Sequence, residues 1–204
     1  MKEIKEIKIF LSCPVDLVNK KDIVSFVREI FDDSNLFYKS LGFRFELDHW
    51  TKNVYLGEGN PRVQDRLNDR LVSACDIFIG VFWTRFGTPP GIRTDGLNYN
   101  SGTEEEFYIA KKLEKELWFF FCDSLIRPSD IDPDQLKKVK EFKKRLQDER
   151  IEYRNFSEQE EFRKLILSSI SNWLDERYKL PKEKTAVYNE LPQKKDFKKF
   201  NRGF

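Results

Sequence analysis

The sequence lacks any apolar run near the roughly 20 residues that a membrane span requires, and no signal-peptide core follows Met1. It also has few cysteines: Cys13, Cys75 and Cys122 are the only three, and their spacing is not that of metal ligands. Each lies in or beside an apolar segment, so we expect reduced, buried thiols, with no metal site and no structural disulfide. These absences predict a soluble, cytoplasmic protein without a membrane partner.

The chain also lacks a large net charge, because its 37 Lys and Arg residues nearly balance its 35 Asp and Glu residues. The charge is unevenly placed, because residues 181–204 hold seven basic and three acidic side chains. The rest of the chain is slightly acidic, and neutralising a phosphate backbone needs a clustered basic surface. We therefore expect no direct nucleic-acid binding, and we divide the chain into a domain of residues 1–178 and a basic tail or linker of residues 179–204.

Short apolar runs alternate with segments of helical periodicity along the domain. This order predicts an α/β fold with a flavodoxin-like, doubly wound parallel sheet of about five strands. The period-two pattern of residues 43–47 is typical of an edge strand, and the unbroken apolar run of residues 76–83 is typical of a central one. The predicted strands are 7–11, 43–47, 76–83, 117–122 and 153–156, and the predicted helices are 23–38, 61–74, 101–115, 133–150 and 157–173.

Two helices carry more detailed predictions. Leu67, Leu71 and Ala74 recur at helical spacing and are expected to form the buried stripe of the helix that follows the second strand. Ser157 and Glu160 have the spacing of a capping box and are expected to begin the last helix.

The segment Asn100 to Ala110, with the sequence NSGTEEEFYIA, carries the strongest functional signal. It follows a long Gly-, Pro- and Asn-rich loop after the predicted central strand, at the sheet edge where open α/β folds bind ligands. Glu106 is our candidate catalytic residue. Acidic residues are also favoured in any first helical turn by the helix dipole, and we assign that role to Glu104 and Glu105, as solvated charges.

Three segments together resemble bacterial Toll/interleukin-receptor (TIR) domains and their relatives in fold, the nucleoside 2-deoxyribosyltransferases. The segments are Ser12-Cys13-Pro14, the strand 76–83 with Arg85-Phe86-Gly87 behind it, and Gly102-Thr103-x-x-Glu106-x-x-x-Ala110. In TIR domains the last motif is Trp-x-x-x-Glu-apolar-x-x-Ala, and Gly102 stands in place of its tryptophan. The transferase pattern is Asp-x-Gly-Thr-x-x-Glu-x-Gly-x-Ala, from which Asn100 and Tyr108 depart.

The resemblance implies an N-glycosidic bond as the target, and for TIR domains the nicotinamide–ribose bond of NAD, with NAD as substrate and no further cofactor. A fixed carboxylate suits this chemistry independently, because it stabilises or captures the oxocarbenium-like ribose that forms as the bond breaks. Nicotinamide leaves a cationic ring as a neutral molecule and needs no general acid. A purine leaving a neutral nucleoside needs a proton, for which the chain offers only His49 and carboxylates, so NAD is favoured.

The substrate pocket is expected where strand ends converge. Trp50 or Phe86 is a candidate to stack on a ring, and Arg85 is a candidate to hold a phosphate. For the tryptophans a core role is equally compatible with the sequence. For Cys13 a packed thiol is the simpler interpretation, because the sequence shows no histidine partner. The full set of candidate binding residues is Ser12, Cys13, Trp50, Trp83, Arg85, Phe86 and Thr103.

Two other functions stay open beside an NAD glycohydrolase or ADP-ribosyl cyclase. One is a non-catalytic signalling module that uses the same fold to recruit partners, and the other is a deoxyribosyltransferase-like N-glycosidase. The TIR resemblance further implies self-assembly through a loop near Thr51 to Asn60, giving a homo-oligomer. It also implies a role in antiphage defence beside a partner protein of a defence system.

Overall fold

The computed structural model describes residues 4–51, 62–93 and 95–179. Its centre is a sheet of five strands in the order β2-β1-β3-β4-β5, and every neighbouring pair is parallel. This is the strand order of a flavodoxin-like doubly wound fold, so the predicted fold class is confirmed. The strands are β1 (Lys5–Ser12), β2 (Phe43–Asp48), β3 (Ile77–Phe82), β4 (Glu116–Cys122) and β5 (Tyr153–Phe156).

Strand positions follow from the burial patterns predicted by the sequence. β3 is central and all six of its residues are buried, whereas β2 lies at an edge and alternates between buried and exposed residues. The basis is that a central parallel strand is covered by helices on both faces, which leaves no solvated side for polar residues.

Helices cover both faces of the sheet. They are α1 (Val15–Lys21), α2 (Ile23–Leu41), α3 (Val63–Leu67), α4 (Gly102–Lys112), α5 (Pro133–Asp148) and α6 (Gln159–Tyr178). One core packs α2 and α6 against the sheet, and a second packs α4 and α5 against the opposite face. Along β1, Ile9 and Leu11 enter the first core and Phe10 enters the second, because successive strand side chains point to opposite faces.

The helix after β2 differs from its prediction. α3 is one short α-helical stretch that continues as a π-helical segment, Asn68–Val72. A π turn adds a residue to the helical repeat, so the buried stripe moves forward by one position. Cys75 is consequently buried and Ala74 is exposed, and the prediction of Ala74 as a core residue was wrong.

The beginning of α6 also differs. Its first residue is Gln159, and the backbone N–H of Ser157 donates to Oε2 of Glu161 rather than pairing with Glu160. The predicted capping box was therefore wrong, although the helix itself is present. The short helix α1 was not predicted, because it has only two buried side chains, Asp16 and Leu17.

Cys13, Cys75 and Cys122 are all buried, as predicted, and each is a free cysteine. Within the described ranges, no helix combines the length and apolar character that crossing a bilayer requires. The predicted tail from residue 180 onward and residues 52–60 of the predicted assembly loop lie outside the described residues.

Candidate active site at the carboxyl edge of the sheet

The carboxyl edge of the sheet holds a buried carboxylate that two other elements position. Ser101 caps α4 by accepting the backbone N–H of Glu104 at 3.0 Å, which sets Glu106 in the first turns of the helix. The hydroxyl of Ser12, the last residue of β1, donates to Oε2 of Glu106. Nε2 of Gln64 in α3 donates to Oε1 at 2.8 Å. Each oxygen of Glu106 thus has its own donor.

Burial dominates the electrostatics of Glu106, whose exposure is 4%. Loss of solvation raises the pKa of this carboxyl group to about 7, although the bonds from Ser12 and Gln64 oppose the shift by favouring the charged form. The negative charge of Glu105 raises it further. A carboxylate with a raised pKa, at the carboxyl edge of a parallel sheet, is a candidate functional group.

Glu105 is not the solvated charge that we predicted. It is fully buried, and its Oε1 accepts from Nη2 of Arg62 at 2.6 Å, from Nδ2 of Asn68 at 2.8 Å and from Nη1 of Arg93 at 3.5 Å. A buried carboxylate needs such partners because desolvation alone is very costly. Glu105 therefore ties α3 and the loop before α4 to the helix that carries Glu106.

The prediction for Glu104 was wrong for the same reason. This side chain is 2% exposed, and it is paired with Arg145 of α5. Its Oε2 also accepts from the backbone N–H of Asn100 at 2.6 Å and from the Asn100 amide at 3.1 Å. Asn100, one of the departures from the transferase pattern, thus closes the end of the loop onto α4.

The sequence did not predict the residues at and after the start of α3 that bond the carboxylates of α4, nor the arginines Arg93 and Arg145. Those at α3 are Arg62, Gln64 and Asn68. Asn68 begins the π-helical segment and accepts from Gln64 Nε2 at 3.2 Å. A signal was available in the sequence, since Gln64 and Asn68 are polar residues four apart and so share one helix face.

Cys13 does have a histidine neighbour, contrary to prediction. Its Sγ lies 3.6 Å from Nε2 of His49, and the backbone N–H of Thr51 donates to Nδ1 of the same ring at 3.3 Å. Burial, and then the charge of Arg28, lowers the pKa of His49 to about 4, so the ring is neutral at physiological pH. Burial, Glu106 and Asp16 raise the pKa of the Cys13 thiol, which stays protonated and is a poor nucleophile.

The loop after β3 is anchored at its start. Oδ2 of the buried Asp16 accepts from the backbone N–H groups of Thr84 and Arg85, both at 3.2 Å. Oε1 of Gln135 accepts from those of Phe86 and Gly87 at 2.9 and 3.0 Å. The guanidinium of Arg85 lies 3.6 Å from Asp132 and is 39% exposed, so it remains accessible to a ligand.

The predicted aromatic lining is only partly available. Phe86 is 2% exposed and packs against Phe82 and Phe142, so its prediction as a stacking residue was wrong. Trp83 is also buried, with its Nε1 donating to the Ser124 carbonyl at 3.1 Å, which favours the core role. Trp50 is half-buried, with its ring centroid 5.3 Å from that of His49. Thr103 is buried in the first turn of α4.

The described side chains offer no group of three His, Cys, Asp or Glu residues placed to hold a metal ion. Around Glu106 the described residues bring together carboxylates, amides, guanidinium groups and the Ser12 hydroxyl. Such a site can position hydroxyl groups and stabilise positive charge on a bound molecule.

A family model described as "Domain of unknown function (DUF4062)" matches residues 47–171. The chain belongs to this family. The DUF4062 match contains Gln64 and the three carboxylates of α4, and it begins after β1, so Ser12 lies outside it.

Among solved structures, the DUF4062 chain is similar to a conserved protein from Enterococcus faecalis V583, at 12% identity and a TM-score of 0.46, over 78% of this chain and 96% of that one. It is also similar to the apo form of translation elongation factor SelB from Methanococcus maripaludis, at 11% identity and a TM-score of 0.43, over 83% of this chain and 36% of that one. A search of curated proteins found no match.

Proposed function

We propose that the protein is an NAD glycohydrolase or ADP-ribosyl cyclase in which Glu106 is the catalytic residue. The observation that carries the proposal is the buried carboxylate of Glu106 at the carboxyl edge of the sheet, with Ser12 on one oxygen and Gln64 on the other. A carboxylate fixed beside a ribose stabilises the positive charge that develops at its C1′ atom. Because Glu106 is held in place before the reaction, little reorganisation is needed as this charge forms.

The proposed reaction begins when the bond between C1′ of the ribose and the nicotinamide nitrogen breaks. Its electron pair moves to the nitrogen, so the pyridinium cation leaves as neutral nicotinamide and needs no proton. Water then adds to C1′ and loses a proton, or a nucleophile of the same molecule closes a ring. His49 is neutral and buried and is a poor proton source, so a leaving purine would have to take its proton from Glu106 itself, whose pKa is about 7, whereas nicotinamide needs no proton.

The TIR resemblance supports the same reaction and adds expectations about regulation. Glu106 and Ala110 match both motifs, and Gly102 and Thr103 match that of the related transferases. Ser12, a candidate binding residue at the same edge of the sheet, donates to Glu106. On this basis we propose activation by self-assembly into a homo-oligomer in antiphage defence, in concert with a partner protein of a defence system. A cytoplasmic location belongs to the same proposal.

A substrate panel tests the proposal. The full chain, at dilute and at crowded concentrations, is incubated with NAD and separately with deoxynucleosides, and released nicotinamide or free base is measured by chromatography. We expect nicotinamide release from NAD, which increases when the protein is crowded. Release of free base from deoxynucleosides with NAD intact would instead support a deoxyribosyltransferase-like enzyme. A protein inert towards both sets, even when crowded, would support a non-catalytic interaction module.

A further inference from the structure

Each oxygen of Glu106 already accepts one hydrogen bond from the protein, which leaves a buried carboxylate with little access for a substrate. The two donors differ in how easily they move. Ser12 is fully buried at the end of a central strand, next to β3. Gln64 is half-buried and extends from α3, a helix of five residues in which no side chain is buried. Oε1 is therefore the oxygen that can be uncovered at low cost.

Gly102 is what allows Gln64 to lie over Glu106. A Cβ atom at position 102 would stand 2.8 Å from Oε1 and 3.4 Å from Cδ of Gln64. The first distance is shorter than any packed carbon–oxygen contact, so a side chain at this position would displace the amide. The glycine that replaces the TIR tryptophan thus leaves space that Gln64 occupies.

Asn68 sets the direction of the Gln64 amide. Its Oδ1 accepts from Nε2 of Gln64 at 3.2 Å, so the nitrogen faces both Asn68 and Glu106 while the oxygen faces Gly102. Asn68 is itself buried and bonded to Glu105, so it is a fixed reference point. The amide N–H therefore occupies one of the acceptor positions of Oε1.

We propose that Oε1 of Glu106 is the sugar-hydroxyl position of the site, and that the Gln64 amide is a removable cover which a ribose hydroxyl replaces. The exchange keeps a donor on Oε1, because the ribose hydroxyl replaces the amide, while the displaced amide gives up its bond to Asn68 and moves towards solvent. The ligand assignment rests on the proposed function, since it takes a ribose as ligand. The cover itself is a property of the free protein and can be tested without turnover.

The test measures access to Glu106 by carbodiimide coupling to an amine, followed by peptide mass spectrometry of the full chain. Gln64→Ala removes the cover. Gly102→Ala displaces it while leaving Gln64 in the sequence, and alanine is better tolerated than glycine in a helix. Ser12→Ala is the matched control, since it removes the donor to Oε2 and leaves the cover in place. We expect severalfold more labelling at Glu106 in the first two variants, and none of that gain in the control.

The double variant Gln64→Ala/Gly102→Ala makes the test independent of either single change. Both substitutions act on the same side chain, so the double variant is expected to label no more than Gln64→Ala alone. Additive gains, or labelling at the wild-type level in both single variants, would overturn the cover. Equal gains in Ser12→Ala would overturn it too, because they would mean that any loosening exposes Glu106.

A binding measurement tests the hydroxyl position. The KM for NAD is compared at about pH 9, two units above the pKa of Glu106, so that the carboxylate is ionised in the wild type. Removing a competing hydrogen bond to a charged group is expected to lower KM about tenfold in Gln64→Ala and Gly102→Ala. Unchanged or raised KM values would overturn the proposal. If no form cleaves NAD but labelling follows the expected pattern, the cover stands and the proposed reaction fails.

Discussion

The guanidinium of Arg62 lies 2.6 Å from Oε1 of Glu105, a carboxylate whose side chain has no solvent exposure. This ion pair joins α3 to α4 across the candidate active site. It places the residue before Glu106 in a charged network rather than in solvent. Buried charges therefore hold α3 and α4 together beside the site, and the stability of this packing depends on these charges remaining paired.

Removing one partner of this pair is expected to be expensive. Arg62→Met leaves Glu105 buried with weaker compensation from Arg93 and Asn68, and we expect a loss of about 3 kcal/mol in the free energy of unfolding, measured with urea. The control is Arg154→Met, which breaks an ion pair whose side chains are 57% and 82% exposed. That loss should stay below about 1 kcal/mol. Equal losses in the two variants would contradict the structural role of Arg62.

Gln135 offers a second stability test. Its Oε1 accepts two backbone N–H groups, those of Phe86 and Gly87, and Gln135→Leu would leave both without their acceptor. We expect a loss of about 3 kcal/mol in the free energy of unfolding. The matched control is Gln147→Leu on the same helix, where the glutamine side chain is exposed and donates to the Tyr153 hydroxyl. An equally large loss of stability in Gln147→Leu and Gln135→Leu would contradict a stabilising role for the bonds from Gln135 to the loop after β3.

The raised pKa of Glu106 makes stability depend on pH. Its carboxyl group titrates near 4.5 when unfolded and near 7 when folded, so folding favours the protonated form. The favourable contribution is complete below 4.5 and is lost as the pH rises through 7. Glu106→Gln removes this titration. Its stability relative to wild type is therefore expected to rise by about 3 kcal/mol across that window.

Urea unfolding at several pH values measures this difference. Glu141→Gln, whose side chain is 59% exposed on α5, controls for the loss of one negative charge. A Glu106→Gln difference that is flat with pH would show that the carboxyl group is not held in a desolvated state.

The rate of NAD cleavage is also expected to depend on pH. If the ionised form of Glu106 stabilises the reacting ribose, kcat/KM rises as the pH increases through 7 and is constant above it. His49 is not expected to add a second change to the pH–rate profile near neutrality, because its pKa is about 4. Initial rates of nicotinamide release across this range measure the profile. A rate that falls as the pH rises through 7 would mean that Glu106 acts as an acid instead.

The sequence was sufficient to predict the sheet, because burial determines the composition of a strand. β3 is buried on both faces and is apolar throughout, whereas β2 is buried on one face and alternates between apolar and polar residues. It was also sufficient to bring Ser12 and Glu106 to one edge, since parallel strands end together. It did not reveal the partners of Glu104 and Glu105. Their arginines lie 41 and 43 positions away in the chain, and no local pattern distinguishes a buried glutamate from a solvated one.

Two other failures have local causes. Ala74 was misplaced because a π turn shifts helical register, and the pattern of apolar residues was interpreted with a regular repeat. Phe86 was assigned to the pocket because it follows a strand, but its side chain packs in the core against Phe82 and Phe142. Gln64 was overlooked although its helical spacing from Asn68 was a signal, because its contact with Glu106 also depends on the absence of a side chain at Gly102.

The most direct test of the central claim compares wild type with Glu106→Gln in NAD consumption, at crowded protein concentration and above neutral pH. The amide keeps the shape of the side chain but loses its charge, and circular dichroism checks that the fold is retained. Loss of a charge-stabilising group is expected to lower the rate at least about a hundredfold, while Glu141→Gln keeps the wild-type rate. Nicotinamide release that survives unchanged in Glu106→Gln would contradict the assignment of Glu106 as the catalytic residue.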